Sequence, residues 1–352
     1  MPTKKLKKTL LYTGIPALLL LAAASVFGYI YYCDNIRPNF PEDFTVFVHP
    51  GMTSSQVLDT LCSKGNARSR GSLERCASKT GLEESLKPGK YVFNGGCTSI
   101  YAVRKLSNGW QSPHNLTLSG TIRTKQKLAR MISSQMMTDS LTIDSLLRDD
   151  AFLSRYGFDS ENIFAMFLPD TYQVYWTDSP EKIFDRFKKE YDRFWTQERI
   201  EKAAAQKLTP MQVSILASIV SGESLKSFEY PVIAGVYLNR LRRGQLLQAD
   251  PTVAFCFDYS ISRILKKHLQ VDSPYNTYKY KGLPPAPINV PPKACIDAVL
   301  NPQEHNYYYF CASPDFDGTH RFAATFDEHK RNAREFQRAL TIRMKEKTAG
   351  NS

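Results

Sequence analysis

The chain has 352 residues, 42% hydrophobic and 12% aromatic, enough for an anchor plus roughly two domains of about 100–200 residues each. Its formal net charge of +12 suits any anionic partner, whether a membrane face, a nucleic acid or an acidic polymer. No RNP-type motif, zinc-finger spacing or helix-turn-helix signature is present, which sets nucleic acid aside, and seven cysteines without a CxxC argue against zinc or thioredoxin-like chemistry.

Lys4, Lys5, Lys7 and Lys8 precede an uncharged run from Leu10 to Cys33, long enough to cross the ~30 Å hydrocarbon core as a helix. With lysines before the run and Asp34 after it, the positive-inside rule leaves residues 1–9 as a cytoplasmic tail and puts everything beyond the span outside. A cleaved signal peptide is the rival, with Ala22, Ala23 and Ala24 as small residues. The apolar stretch runs on through Val26, Phe27, Tyr29 and Ile30, past a usual signal core, so an uncleaved single-pass transmembrane helix is the reading. In an oxidising outer compartment Cys62 and Cys76 could pair; buried free thiols are the equal alternative.

A linker, 34–43, carries Pro38 and Pro41. Phe44–Val48 alternates as a strand, Pro50-Gly51 turns, and Ser54–Cys62 reads as a helix capped by Thr53 or Ser54. A second helix spans Ser72–Thr80, Lys87–Phe93 gives a turn and a strand, and Ser99–Ser107 gives a helix ending before Gly109. Leu116–Thr121 reads as a strand. A helix-rich stretch follows: Lys125–Met137, Ile143–Arg148, Pro180–Trp195 and another from Gln197, with Phe167–Tyr172 as a loop between them. Thr209–Glu223 is apolar over most of its surface and should be buried. Tyr230–Arg243 is another helix, a proline-rich loop follows Gly282, Asn306–Phe310 is a strand with a partner starting at Arg321, and Phe326–Lys345 closes the chain. The expected fold class is α+β.

The residue that draws chemical attention is Glu223. A carboxylate at the end of an apolar helix is costly unless paired or protonated, and desolvation raises its pKa toward that of a general acid at neutral pH. On these residues alone, a helix cap or an arginine partner explains it as well. Downstream, turn-rich strings hold Asn239, Gln248, Asp250, Tyr275, Asn276, Thr277 and Tyr278; tyrosine rings stack on sugars while amides bind hydroxyls. Asp250 reads equally as a second carboxylate or a loop cap. Arg240, Arg242 and Arg243 read as a solvated helix face, and Tyr307–Tyr309 as strand. His320, His329 and Glu328 fit no common metal-ligand spacing.

From Ser214 to about Leu340 the chain resembles the catalytic part of the YceG-like (MltG) family of endolytic murein transglycosylases. The resemblance rests on Ser218-Ile-Val with Glu223 closing the helix, Asn239-Arg-Leu, Leu247-Gln-Ala-Asp-Pro-Thr-Val253, Tyr275-Asn-Thr-Tyr278, Gly282-Leu-Pro-Pro-Ala-Pro-Ile288, and upstream Pro169-Asp-Thr-Tyr172. More loosely, 44–110 resembles a LysM-like β-α-α-β module, which leaves 111–345 as the catalytic domain. The resemblance implies non-hydrolytic cleavage of glycan strands with Glu223 as the acid–base group and with Ser224, Asn239, Gln248, Asp250, Tyr275, Asn276, Thr277 and Tyr278 toward substrate. It implies no metal or cofactor. The implied partners are peptidoglycan glycan strands, the cytoplasmic membrane and peptidoglycan synthases, with the catalytic domain facing the periplasm or wall. Many family members end this helix with Glu-x-Glu; here the first position is Ser221. The catalytic role carries over to Glu223, which a small hydroxyl residue follows, as in other lytic transglycosylases. A non-catalytic glycan-binding component is the alternative.

Overall fold

A computed structural model describes residues 10–349, with side chains from 12 to 346; the four N-terminal lysines of the expected tail lie outside the described residues. The architecture is mixed α+β, and the chain divides into two compact units: residues up to Asn115 with Gln173–Asp178, and Leu116–Tyr172 with the rest from Ser179.

The first unit begins with an apolar helix, Ile15–Asn35, after a short π-turn from Leu10 to Gly14. It is the one helix among the described residues long and apolar enough to cross a membrane, and Leu18–Leu21, Val26 and Phe27 turn outward from it. The helix runs to Asn35, and the stretch after it packs into this unit. Phe40 is fully buried, and Asn39 Nδ2 donates to Ser69 O at 3.0 Å and to Ser99 Oγ at 2.9 Å.

Two antiparallel strands, Phe44–Val48 and Gly89–Phe93, pair in the register Phe44↔Phe93 to Val48↔Gly89. Alternation buries Val46, Val48, Tyr91 and Phe93, and these meet Val57, Leu61, Leu73 and Leu106 from the helices Ser54–Gly65, Arg70–Thr80 and Ser99–Ser107. Each such buried side chain contributes about 1.5–3 kcal/mol. Thr53 caps the first of these helices in a reciprocal box with Gln56, an arrangement worth about 1 kcal/mol. Within the same unit, Trp176 packs edge-on against Phe47 at 5.0 Å. All seven cysteines are free thiols, so Cys62 and Cys76 are not joined.

The core of the second unit is the helix Pro210–Glu223, in which every residue from Val213 to Val220 is buried. Helices Tyr230–Arg242 and Lys293–Leu300 pack against it and against each other. A hairpin of Tyr309–Ala312 and His320–Ala323 pairs Tyr309↔Ala323 through Ala312↔His320, and the long helix Phe326–Ala349 lies on it. Two short helices break stretches read as loop in the sequence: Asp250–Cys256 within the turn-rich strings and Lys293–Leu300 after Gly282. Both start next to prolines, whose fixed φ and missing N–H suit a first helical turn.

Candidate active site

Thr209 sets the start of the central helix. Its N–H donates to Gln212 Oε1 at 2.9 Å and its hydroxyl accepts from Gln212 N at 3.2 Å. The helix then runs buried to its last residue, Glu223, which stays partly open. Burial pushes the Glu223 carboxyl up to about 7. A hydrogen bond from Tyr237 Oη to Oε1, at 2.5 Å, opposes that rise, and the charge of Asp250 adds to it. Tyr237 comes from the adjacent helix and is 1% exposed, so Glu223 is held between two packed helices.

Glu223 lines a recess of about 230 Å³ together with Arg123, Asp250, Pro251, Tyr259 and Asn289. Asp250 is exposed, opens its short helix, and accepts a hydrogen bond from Tyr278 Oη at 2.6 Å. That helix approaches closely because Gly222 has no side chain: a Cβ there would lie 2.6 Å from Pro251 Cβ. Arg123 arrives from 100 residues upstream of Glu223. Ile122 is fully buried and its carbonyl accepts from Val290 N at 2.9 Å, which fixes the backbone. The Arg123 guanidinium lies 4.7 Å over the Tyr259 ring, and it makes no ion pair among the described residues. The recess thus has a carboxyl poised to exchange a proton near neutrality, a second acid and a cation.

Ser221, at the Glu-x-Glu position, bonds to Ser218 O at 2.9 Å and Asn289 Oδ1 at 3.1 Å, while Asn289 Nδ2 donates to Ser218 O at 2.8 Å. The helix end is therefore tied to the Ile288–Val290 segment at this position.

The other residues singled out in the sequence divide by where their polar atoms go. Glu223, Asp250 and Tyr278 are brought together. Gln248 is exposed with a left-handed φ of 49°, and its N–H donates to Thr277 O at 3.1 Å. Ser224 is buried and donates to Glu229 Oε2 at 2.7 Å. Asn239 ties the backbone of His305 and Tyr307, at 2.9 and 3.1 Å. Tyr275 donates to Glu161 at 3.0 Å and packs on Phe255. Asn276, fully buried, holds the carbonyls of Leu269 and Val271, and Thr277 accepts from Ala249 N and bonds Thr252. These groups shape the loops that carry Asp250 and Tyr278.

Arg240 differs from its expected exposure. It is 8% exposed, donating from Nε to Tyr308 O at 2.6 Å and from Nη1 to Leu247 O at 2.5 Å; only Arg242 and Arg243 are solvent-facing. The guanidinium fits because a buried cation with carbonyl partners is satisfied. Glu229, unmarked by any motif in the sequence, is 3% exposed; it accepts from His320 N at 2.7 Å and faces His320 Nδ1 at 3.0 Å. His320 thus belongs to a carboxylate network that pins the turn after Glu223 to the hairpin. Tyr237 carried a weak sequence signal, since its position falls on the buried face of a periodic helix. Arg123 and Asn289 carried none.

The sequence profile of the YceG-like family matches residues 46–335. The endolytic murein transglycosylase of Bacillus subtilis is 36% identical over 125 residues, covering 36% of this chain and 34% of that protein. The protein of the same name from Streptococcus pneumoniae is 24% identical over 351 residues, covering 90% of this chain and 63% of that one. The chain therefore spans less than two thirds of the length of either. A crystal structure of a YceG-like protein from Listeria monocytogenes superposes with a TM-score of 0.56 at 25% identity, covering 82% of this chain and 98% of that one. With the profile running through the site helix and most of both units, this chain belongs to the YceG-like family.

Proposed function

We propose that the chain is an endolytic peptidoglycan lytic transglycosylase. It would cut the MurNAc-β-1,4-GlcNAc bond of nascent glycan strands, leave 1,6-anhydroMurNAc ends and so end strand elongation. The observation that carries this reading is Glu223: a carboxyl with its pKa near 7, at the wall of an open recess. In its neutral form Glu223 protonates the departing glycosidic oxygen as the C1–O bond breaks. As carboxylate it then takes the proton from the muramic C6 hydroxyl while that oxygen bonds to C1. One carboxyl serves both transfers because the nucleophile belongs to the substrate, whereas hydrolytic glycosidases use a pair of carboxyls. The chemistry draws on no metal or cofactor. The names of the relatives agree with this substrate class.

In this reading residues 10–33 anchor the chain in the cytoplasmic membrane, with the tail inside. Residues 44–110 form a LysM-like glycan-binding module, and 111–345 form the catalytic domain at the periplasmic or wall side, working beside peptidoglycan synthases. Asp250 and Tyr278 flank the bound strand, with Gln248 at the rim. The remaining candidates act by holding loops. Ser221 favours a second reading, a non-catalytic glycan-binding component, since many relatives have glutamate there.

Mass analysis of products from purified glycan strands decides between them. The wild-type chain should yield anhydro ends one water lighter than hydrolysed ends, and Glu223→Gln, which keeps shape but cannot transfer the proton, should yield none while still binding strands. Unaltered turnover in Glu223→Gln, or no cleavage by the wild type, would overturn the assignment.

A further inference from the structure

The anchor helix does not end in a free tether. Asp34, in its last turn, is 1% exposed and accepts from Ser72 Oγ at 2.8 Å, Arg75 Nη2 at 2.6 Å and Lys79 Nζ at 3.3 Å. This docks the helix end on the helix Arg70–Thr80. Beside the dock a recess of about 320 Å³ opens. Its apolar side is Tyr29, Ile30 and Cys33, one face of the anchor helix, and its polar rim includes Arg37, Arg68 and Arg75. No acidic residue lines it. Arg37 and Arg68 are exposed and make no ion pair among the described residues, and Arg75 is committed to Asp34.

Two physical facts bear on this arrangement. Cations immediately beyond a membrane span on the outer side run against the positive-inside bias, so Arg37 and Arg68, which lack an ion-pair partner among the described residues beside the Arg75–Asp34 dock, call for a local anion. The recess lies at the last turns of the spanning helix, where lipid phosphates sit and acyl chains begin. Guanidinium groups bind phosphate oxygens in a planar, paired geometry. We propose that this recess holds the phosphate of a membrane-lipid headgroup, with the first methylenes of its chains against Tyr29 and Ile30. The proposal rests on the anchor reading and is independent of the chemistry at Glu223. A bound lipid would brace the junction between the anchor and the strand–helix module.

The test uses the full chain, extracted in detergent, stripped of lipid and studied by native mass spectrometry. The probes are a short-chain phosphatidylglycerol, a short-chain diacylglycerol without phosphate, and inorganic phosphate as competitor. One phosphatidylglycerol should be retained per chain, and diacylglycerol should not. Arg37→Gln with Arg68→Gln leaves the Asp34 dock intact and should weaken retention at least about tenfold. Equal retention of diacylglycerol, or unchanged binding by the double variant, would overturn the proposal. Displacement of the lipid by inorganic phosphate at matching concentration would assign the site to a soluble anion and also overturn it. If the double variant does not fold, Arg37→Gln alone carries the comparison. Alkaline extraction of membranes separates the two levels: release of the chain refutes the anchor, whereas a chain that stays in the bilayer but holds no lipid phosphate refutes only the recess.

Discussion

Tyr237 and Glu223 are joined by a 2.5 Å hydrogen bond, Oη to Oε1, between the middle of one buried helix and the end of another. The phenol holds the carboxyl in one orientation and favours its charged form, against the burial that favours the neutral one. Tyr237→Phe should therefore raise the Glu223 pKa further, which by itself favours the neutral form, while loss of the fixed orientation should lower turnover by about tenfold, the scale of a hydrogen bond to a charged group. The diagnostic readout is the pH–rate profile, whose alkaline limb should move to higher pH. An unmoved limb would mean that Tyr237 is only a packing residue.

The wild-type pH dependence follows from the same group. In the proposed mechanism the neutral carboxyl starts the reaction, so kcat/KM should be flat below about pH 7 and fall about tenfold per unit above it. Stability carries the linked sign. The folded chain binds an extra proton at Glu223 between the ordinary value of 4.5 and about 7, so stability contributed by this group is lost as pH rises through that window. Glu223→Gln should be more stable than wild type above pH 7 and equal to it near pH 4. The difference is at most about 3 kcal/mol, less after screening on the open side. Denaturant midpoints that do not diverge between pH 4 and pH 8 would refute the desolvated carboxyl.

Gly222 sits where the site helix meets the helix bearing Asp250. Gly222→Ala drives a methyl group to 2.6 Å from Pro251 Cβ, an overpacking worth about 1–3 kcal/mol. Thermal unfolding should drop by a few degrees, and activity should fall with it because Asp250 is displaced. An unchanged Tm would show that the short helix yields freely.

Ser224, Glu229 and His320 tie the turn after Glu223 to the C-terminal hairpin. Removing one member of a buried polar set leaves its partners uncompensated. Glu229→Ala should cost about 3 kcal/mol, and Glu229→Gln, which keeps an acceptor, should cost less. Equal stability of the two variants in urea would show that the contacts to His320 contribute nothing.

Ser221→Glu tests the position at which the chain departs from the Glu-x-Glu pattern. A carboxylate there would adjoin Asn289 and, by like-charge repulsion, raise the Glu223 pKa. Turnover should change modestly, within about threefold, if general acid–base catalysis, worth about 10²–10⁴-fold, resides at Glu223 as proposed. A silent wild type made active by Ser221→Glu would move the catalytic role to position 221.

Local order was written in the sequence wherever one element decides its own outcome. The uncharged run to Cys33, the box of Thr209 with Gln212, the alternation in Phe44–Val48 and the unbroken apolar surface of Val213–Val220 each specify an element through its own period and caps, and placing Glu223 at the end of a buried helix needed no more. What Glu223 faces was a tertiary matter. Arg123 enters the recess only because Ile122 bonds to Val290, and Arg240 is buried only because the carbonyls of Leu247 and Tyr308 converge on it. Asn276 and Thr277 look like sugar ligands in a string of polar residues, yet folding turns them onto backbone partners. Even Asp34, a lone acid after an apolar run, became a buried dock once Ser72, Arg75 and Lys79 were brought beside it. The physical reason is one of range: caps and periodicity act within a turn or two of helix, whereas the partner that satisfies a buried polar group is chosen by which distant segments the core brings together.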